Sequence, residues 1–113
     1  MHLKNFSLMT EDWQNICLAP CYDLLSTRLI IPESRDPEEL ALPTSGKKRN
    51  IYRNDFVKFG KNQNIPEKVI NASIKAMLEN FTRWEEKIKK SFISEALKLQ
   101  YQDLILKRIS RFN

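Results

Sequence analysis

Apolar positions follow two different patterns along this chain, and the change falls near Tyr52. Before it, short apolar runs alternate with turn-forming clusters. Phe6 to Met9 and Gln14 to Leu18 flank the polar cluster Thr10-Glu11-Asp12, which predicts a small hairpin. Pro20 then forces extended or turning backbone at Ala19. Beyond it, Leu24-Leu25 and Leu29-Ile30-Ile31 read as buried runs. Pro32 to Pro37 forms a polar loop. A second hairpin is expected between Glu39–Leu42 and Lys48–Tyr52, turning at Thr44-Ser45-Gly46.

After Tyr52 the period becomes helical. Arg53 to Gly60 reads as a short helix capped from Asn54 and closed by Gly60. Pro66 suits the start of a long helix, because its missing N–H costs nothing in a first turn. Ile70, Ile74, Met77, Phe81, Trp84 and Ile88 then recur at steps of three and four, which predicts one apolar face over about five turns. Met77, Phe81 and Trp84 are read as core. Ser91 is placed to cap a further helix with Ile93, Leu97, Tyr101, Leu104 and Arg108 on one side and Ile109 and Phe112 beside it. The two helices should pack as an antiparallel pair. The fold class is therefore mainly α. A hairpin region (1–52) leads into a helical region (53–113), within one domain spanning 1–113.

Composition narrows the functional classes. The chain has 113 residues, 42% of them hydrophobic, enough for one domain with a modest core. Nineteen Lys and Arg against 14 Asp and Glu leave a net charge of +5, a mild bias towards anionic partners. No nucleic-acid reader motif accompanies that charge, so direct nucleic-acid binding is not expected. The basic run Lys47-Lys48-Arg49 with Arg53 reads as a solvated turn. Charged residues interrupt every apolar run, which excludes a membrane-spanning helix, and the N-terminus has no signal-peptide pattern. Cys17 and Cys21 are read as buried free thiols of a cytoplasmic protein, since one His and two Cys do not readily make a zinc set.

The candidate chemistry lies at the start. A side-chain amide oxygen is a neutral, hard ligand for magnesium, and Asn5 stands just before the first predicted strand. Asp23 lies on the far side of the hairpin, a layout that returns a carboxylate to the same place. Taken singly, Asn5 reads as a turn residue and Asp23 as a turn or N-cap residue. Taken together, they match the metal-binding half of a protein-kinase site, in which a catalytic Asp lies five residues before a metal-binding Asn and a second Asp grips the magnesium. Counting back from Asn5, that catalytic Asp would precede Met1. His2 and Lys4 alternate with Leu3, so in an extended loop they would project to one side, towards nucleotide phosphates.

These residues carry a family resemblance. His2-Leu3-Lys4-Asn5-Phe6-Ser7-Leu8 and Leu18-Ala19-Pro20-Cys21-Tyr22-Asp23-Leu24-Leu25-Ser26-Thr27 closely resemble the C-terminal region of HipA-like toxin kinases. Glu39 to Leu42, Gly46-Lys47-Lys48, Asp55-Phe56 and Ser91-Phe92 with Tyr101 and Arg108 fit the segments that follow. The resemblance implies the C-terminal, mostly helical lobe of a bacterial serine/threonine kinase from a toxin–antitoxin system. It makes Asn5 and Asp23 the ligands of the magnesium that accompanies ATP, and places His2 and Lys4 in the catalytic loop. The implied partners are the N-terminal kinase portion, an antitoxin protein and an aminoacyl-tRNA synthetase substrate. The family's catalytic Asp and phosphate-binding lobe would belong to segments upstream of Met1, so the isolated polypeptide is expected to be inactive. The alternative is a non-catalytic protein-interaction module derived from that lobe.

Overall fold

The computed structural model describes residues 3–10 and 12–112. Its order is a 3-10 turn (Leu3–Asn5), strands β1 (Leu8–Thr10) and β2 (Ile16–Leu18), a second 3-10 turn (Thr27–Leu29), and four α-helices among the described residues. These are α1 (Arg53–Asn62), α2 (Glu67–Glu79), α3 (Phe81–Lys89) and α4 (Glu95–Ile109). The mainly helical class with a small N-terminal antiparallel pair is as the sequence predicts.

The hairpin is held by its turn. Leu8, Met9 and Thr10 face Leu18, Cys17 and Ile16 in antiparallel register. Trp13 takes the left-handed region at φ 62°. Around it, the Asp12 carboxylate accepts backbone N–H bonds from Asn15 and Gln14 at 2.8 and 3.0 Å, and the Thr10 hydroxyl accepts from Trp13. Those donated bonds, Asn15 first, lower the Asp12 pKa. The backbone ladder extends one rung further, from Ala19 N–H to Ser7 C=O at 2.8 Å.

The second hairpin does not form as paired strands. Thr44 and Lys47 make a single bridge around Ser45 and Gly46, both at positive φ. Glu39 and Leu40 both donate to the one carbonyl of Lys48 rather than alternating along a ladder. Instead of continuing a strand, the Glu39 side chain turns inward to ion-pair with Arg108 and Arg111, both at the chain's C-terminal end. The expected turn is present and the flanking strands are not.

Helix α1 starts at Arg53 as expected, but its cap is not Asn54. Tyr52 is the N-cap, and the Asp55 carboxylate accepts the Tyr52 backbone N–H at 3.0 Å. Gly60 lies inside the helix and does not close it. It is buried against Ile70 of α2, whose Cδ1 would stand 2.5 Å from an added Cβ. The absence of a side chain therefore sets the close α1–α2 approach. The long helix expected from Pro66 is interrupted at Asn80, whose side-chain amide donates to the Ala76 carbonyl at 2.7 Å, in competition with the backbone. The apolar face survives the break, because Ile70, Ile74, Met77, Phe81, Trp84 and Ile88 are all buried or half-buried. The last helix is capped by Ser94, whose hydroxyl accepts from Leu97 N–H, while Ser91 donates back to the Ile88 carbonyl. Helix α3 packs on α4, and Phe56 of α1 stacks at a tilt on Phe112, with ring centroids 5.3 Å apart.

The helical half contains most of the small core. Ile51, Ile70 and Ile88 are the buried hydrophobic residues among those described. The N-terminal half is open. Leu24, Leu25 and Ile30 are 62%, 75% and 80% exposed, against the expectation that they are buried. Phe6, Leu8, Trp13, Ile16 and Leu18 are exposed as well. Both cysteines are free and exposed, so the expected burial of these thiols does not hold either. The short strands and 3-10 turns supply one layer of backbone. The radius of gyration is 16.3 Å, whereas a compact domain of this length has about 13 Å.

Candidate functional site

The hairpin returns the chain from Asn5 to Asp23. The Leu3–Asn5 turn delivers Asn5 to a buried position at 7% exposure. The segment after β2 delivers Asp23 in the left-handed region, at φ 56°. Asn and Asp tolerate this region better than other side chains, yet a non-glycine residue there is uncommon and clusters at functional sites. Asn5 Nδ2 donates to Asp23 Oδ2 at 3.1 Å. The two side chains singled out from the sequence therefore meet directly.

A second contact runs beside the first. The Tyr22 hydroxyl donates to the Lys4 carbonyl at 3.0 Å, so residues 4 and 22 and residues 5 and 23 are joined at the same separation of 18. Sequence reasoning gave Tyr22 no role, although it stands next to Asp23 and as far from Lys4 as Asp23 does from Asn5. Lys4 is exposed and lies in a 3-10 turn, not the extended loop expected. His2 lies outside the described residues.

Asn5 and Asp23 open onto a cleft of about 650 Å3 that is also lined by Thr27, Glu38, Lys48 and Tyr101. Lys48 is paired with Glu38 at 2.9 Å at its rim. Lys47 of the basic run is likewise bound, to Asp55 at 2.8 Å, and with the Tyr52 N–H it lowers the Asp55 pKa. Two of the three basic side chains in that turn are thus engaged within the chain.

Glu39 closes the back of the cleft. Burial raises its pKa, but the hydrogen bond from Arg111 at 2.7 Å and the ion pair with Arg108 outweigh burial and bring it down to about 2. Arg111 also lies over the Tyr52 ring, 5.6 Å from its centroid, and its carbonyl accepts the Arg53 N–H. The C-terminal end of the chain is thereby fastened to the loop that lines the cleft. No local signal in the sequence could have paired residues 39 and 111, which are 72 apart.

Asn5 and Asp23 bring one amide and one carboxylate to the same cleft, and magnesium is usually held by one or two carboxylates with substrate phosphates and waters. Among the described residues, no group of three or more His, Cys, Asp or Glu could hold a metal ion, so the arrangement is not a self-sufficient cage. No helix among the described residues is long and apolar enough to cross a membrane.

Comparison with known proteins identifies the family. The HipA-like C-terminal domain matches residues 1–85, so this chain belongs to that family. A Sinorhizobium fredii (strain NBRC 101917 / NGR234) protein named "Putative kinase Y4dM" is 31% identical over 86 residues, which covers 75% of this chain. The chain spans 21% of that relative's length.

Proposed function

We propose that this chain is the C-terminal portion of a HipA-like bacterial serine/threonine kinase of a toxin–antitoxin system. In this reading it supplies Asn5 and Asp23 as ligands for the magnesium of Mg-ATP and is inactive alone. The observation that carries the reading is the direct contact between Asn5 and Asp23 across the hairpin. The membership of the chain in the HipA-like C-terminal family and its similarity to a protein named as a kinase support it.

Magnesium bound here would neutralise charge developing on the transferred phosphoryl group. The chain's own part is to bring Asn5 and Asp23 to one point through a short hairpin, with His2 and Lys4 in the catalytic loop near the phosphates. The catalytic Asp and the nucleotide-binding lobe would come from an N-terminal kinase portion. Phosphoryl transfer depends on positioning and electrostatics, and two ligands without that lobe would hold the ion weakly.

The exposed apolar residues of 6–31 fit the same partner. Isolated exposed apolar residues are ordinary, but a contiguous group marks a contact surface. Leu8, Ile16 and Leu18 are exposed on the hairpin, and Leu24, Leu25 and Ile30 are exposed just after it. An antitoxin and an aminoacyl-tRNA synthetase are the further partners, and the cytoplasm is the compartment.

The test is the coding sequence upstream of the Met1 codon. A kinase reading frame with an Asp codon directly before Met1 is the expected result. A closed frame with no kinase segment nearby would leave the alternative, a non-catalytic interaction module. One observation favours that alternative: an apolar groove of about 550 Å3 lies between α3 and α4, lined by Trp84, Ile88, Ile93, Tyr101 and Ile105, mostly beyond residue 85.

A further inference from the structure

Tyr22 is an exposed side chain with a specific polar contact, and that combination calls for a reason. The residue is 43% exposed, so it adds little to a core. Its hydroxyl nevertheless reaches the backbone of the opposite segment, donating to the Lys4 carbonyl at 3.0 Å. The backbone ladder between β1 and β2 continues as far as the Ala19–Ser7 rung. Pro20 follows and has no N–H to donate. Beyond that rung, the side chains of Tyr22 and Asn5 make the connection, in adjacent pairs at one separation.

We propose that Tyr22 is a positioning residue for the metal ligands: its hydroxyl, by holding the Lys4 carbonyl, fixes Asn5 and Asp23 face to face. Lys4 immediately precedes Asn5, so anchoring its carbonyl limits rotation of the peptide plane from which the Asn5 side chain departs. Tyr22 immediately precedes Asp23, whose left-handed backbone at φ 56° would relax readily without an anchor beside it. One hydroxyl therefore restrains both ligands through their neighbours without touching the ion. The proposal rests on the reading of Asn5 and Asp23 as ligands.

The experiment titrates Mn2+, a paramagnetic substitute for magnesium, into the isotope-labelled 113-residue chain and follows NMR line broadening at Asn5 and Asp23. Tyr22→Phe keeps the ring and removes only the hydroxyl. It should need roughly two- to tenfold more Mn2+ for the same broadening, the span set by the net worth of one hydrogen bond. Its β1–β2 amide shifts should match wild type, and its thermal midpoint should fall by no more than the few degrees that one hydrogen bond is worth.

Broadening of Tyr22→Phe at the wild-type Mn2+ concentration would overturn the positioning role while leaving the ligand reading intact. Loss of the hairpin shifts in Tyr22→Phe would also overturn it, because the hydroxyl would then act in folding. Wild-type broadening centred on other carboxylates rather than on Asn5 and Asp23, or broadening there that persists in Asp23→Asn, would remove the ligand reading and the positioning role with it.

Discussion

Asp23 combines an uncommon backbone conformation with a partner that its own side chain selects. Replacing it by Asn separates charge from shape, because Asn tolerates the left-handed region and still offers an oxygen to Asn5 Nδ2. Asp23→Asn should leave stability within about 0.5 kcal/mol of wild type, as expected where no packing changes, yet remove the anionic ligand. Urea denaturation and Mn2+ titration measured on one sample check both halves. Glu39 makes a contrasting case. Its pKa of about 2 lies below the ordinary 4.5, so its ion pairs contribute fully above pH 4.5 and are lost as pH falls through 4.5 towards 2. A pH series of unfolding midpoints should show that acid loss in wild type and much less of it in Glu39→Gln. The substitution itself should cost roughly 3 kcal/mol at neutral pH, the scale of breaking a largely buried pair. Of these residues, Asn5 and Asp23 were legible from the sequence because a known motif fixes their spacing. Tyr22 and Glu39 were not, since a tyrosine hydroxyl and a buried ion pair leave no periodic trace.

Individual elements were read well where period dominates and poorly where a single side chain intervenes. The apolar face from Ile70 to Ile88 was legible because its spacing suits a helix whether or not the helix is continuous. The break at Asn80 was not, because it arises from one amide reaching the Ala76 carbonyl. Gly60 was misread as a helix end for a related reason: a glycine also permits close packing, and sequence alone does not rank the two uses. An alanine there gains helix propensity but places its Cβ 2.5 and 2.8 Å from Ile70 Cδ1 and Cγ1. Gly60→Ala should therefore lower stability by about 1 kcal/mol net, overpacking of about 1–3 kcal/mol being partly offset by about 1 kcal/mol of propensity. Ile70→Val removes the nearer atom, so the double variant should be more stable than the sum of the single effects implies. A double-mutant cycle in urea measures that coupling, and strict additivity would show that the α1–α2 contact adjusts without strain.

Seen whole, the molecule is more extended than its length requires, with a small core in the helices and an apolar N-terminal side open to solvent. Burial is the property that sequence could not supply, because Leu24, Leu25 and Ile30 are apolar enough for a core that these residues do not form with one another. The kinase reading gives that surface an occupant. Joining the chain to the kinase portion proposed as its partner should slow amide hydrogen exchange across β1 and β2, where few buried contacts protect the isolated chain. Exchange that stays as fast in the joined protein would separate this surface from the kinase interface. The central claim is that Asn5 and Asp23 form the metal-binding half of a phosphoryl-transfer site, and the most direct test is the ATP-dependent phosphorylation rate of the joined protein. The joined wild type should be active and the 113-residue chain alone inactive. Asn5→Ala and Asp23→Asn should each lose roughly a hundredfold or more in rate, the scale of a lost electrostatic contact at a reacting centre. Full activity in the joined Asp23→Asn protein would contradict the account.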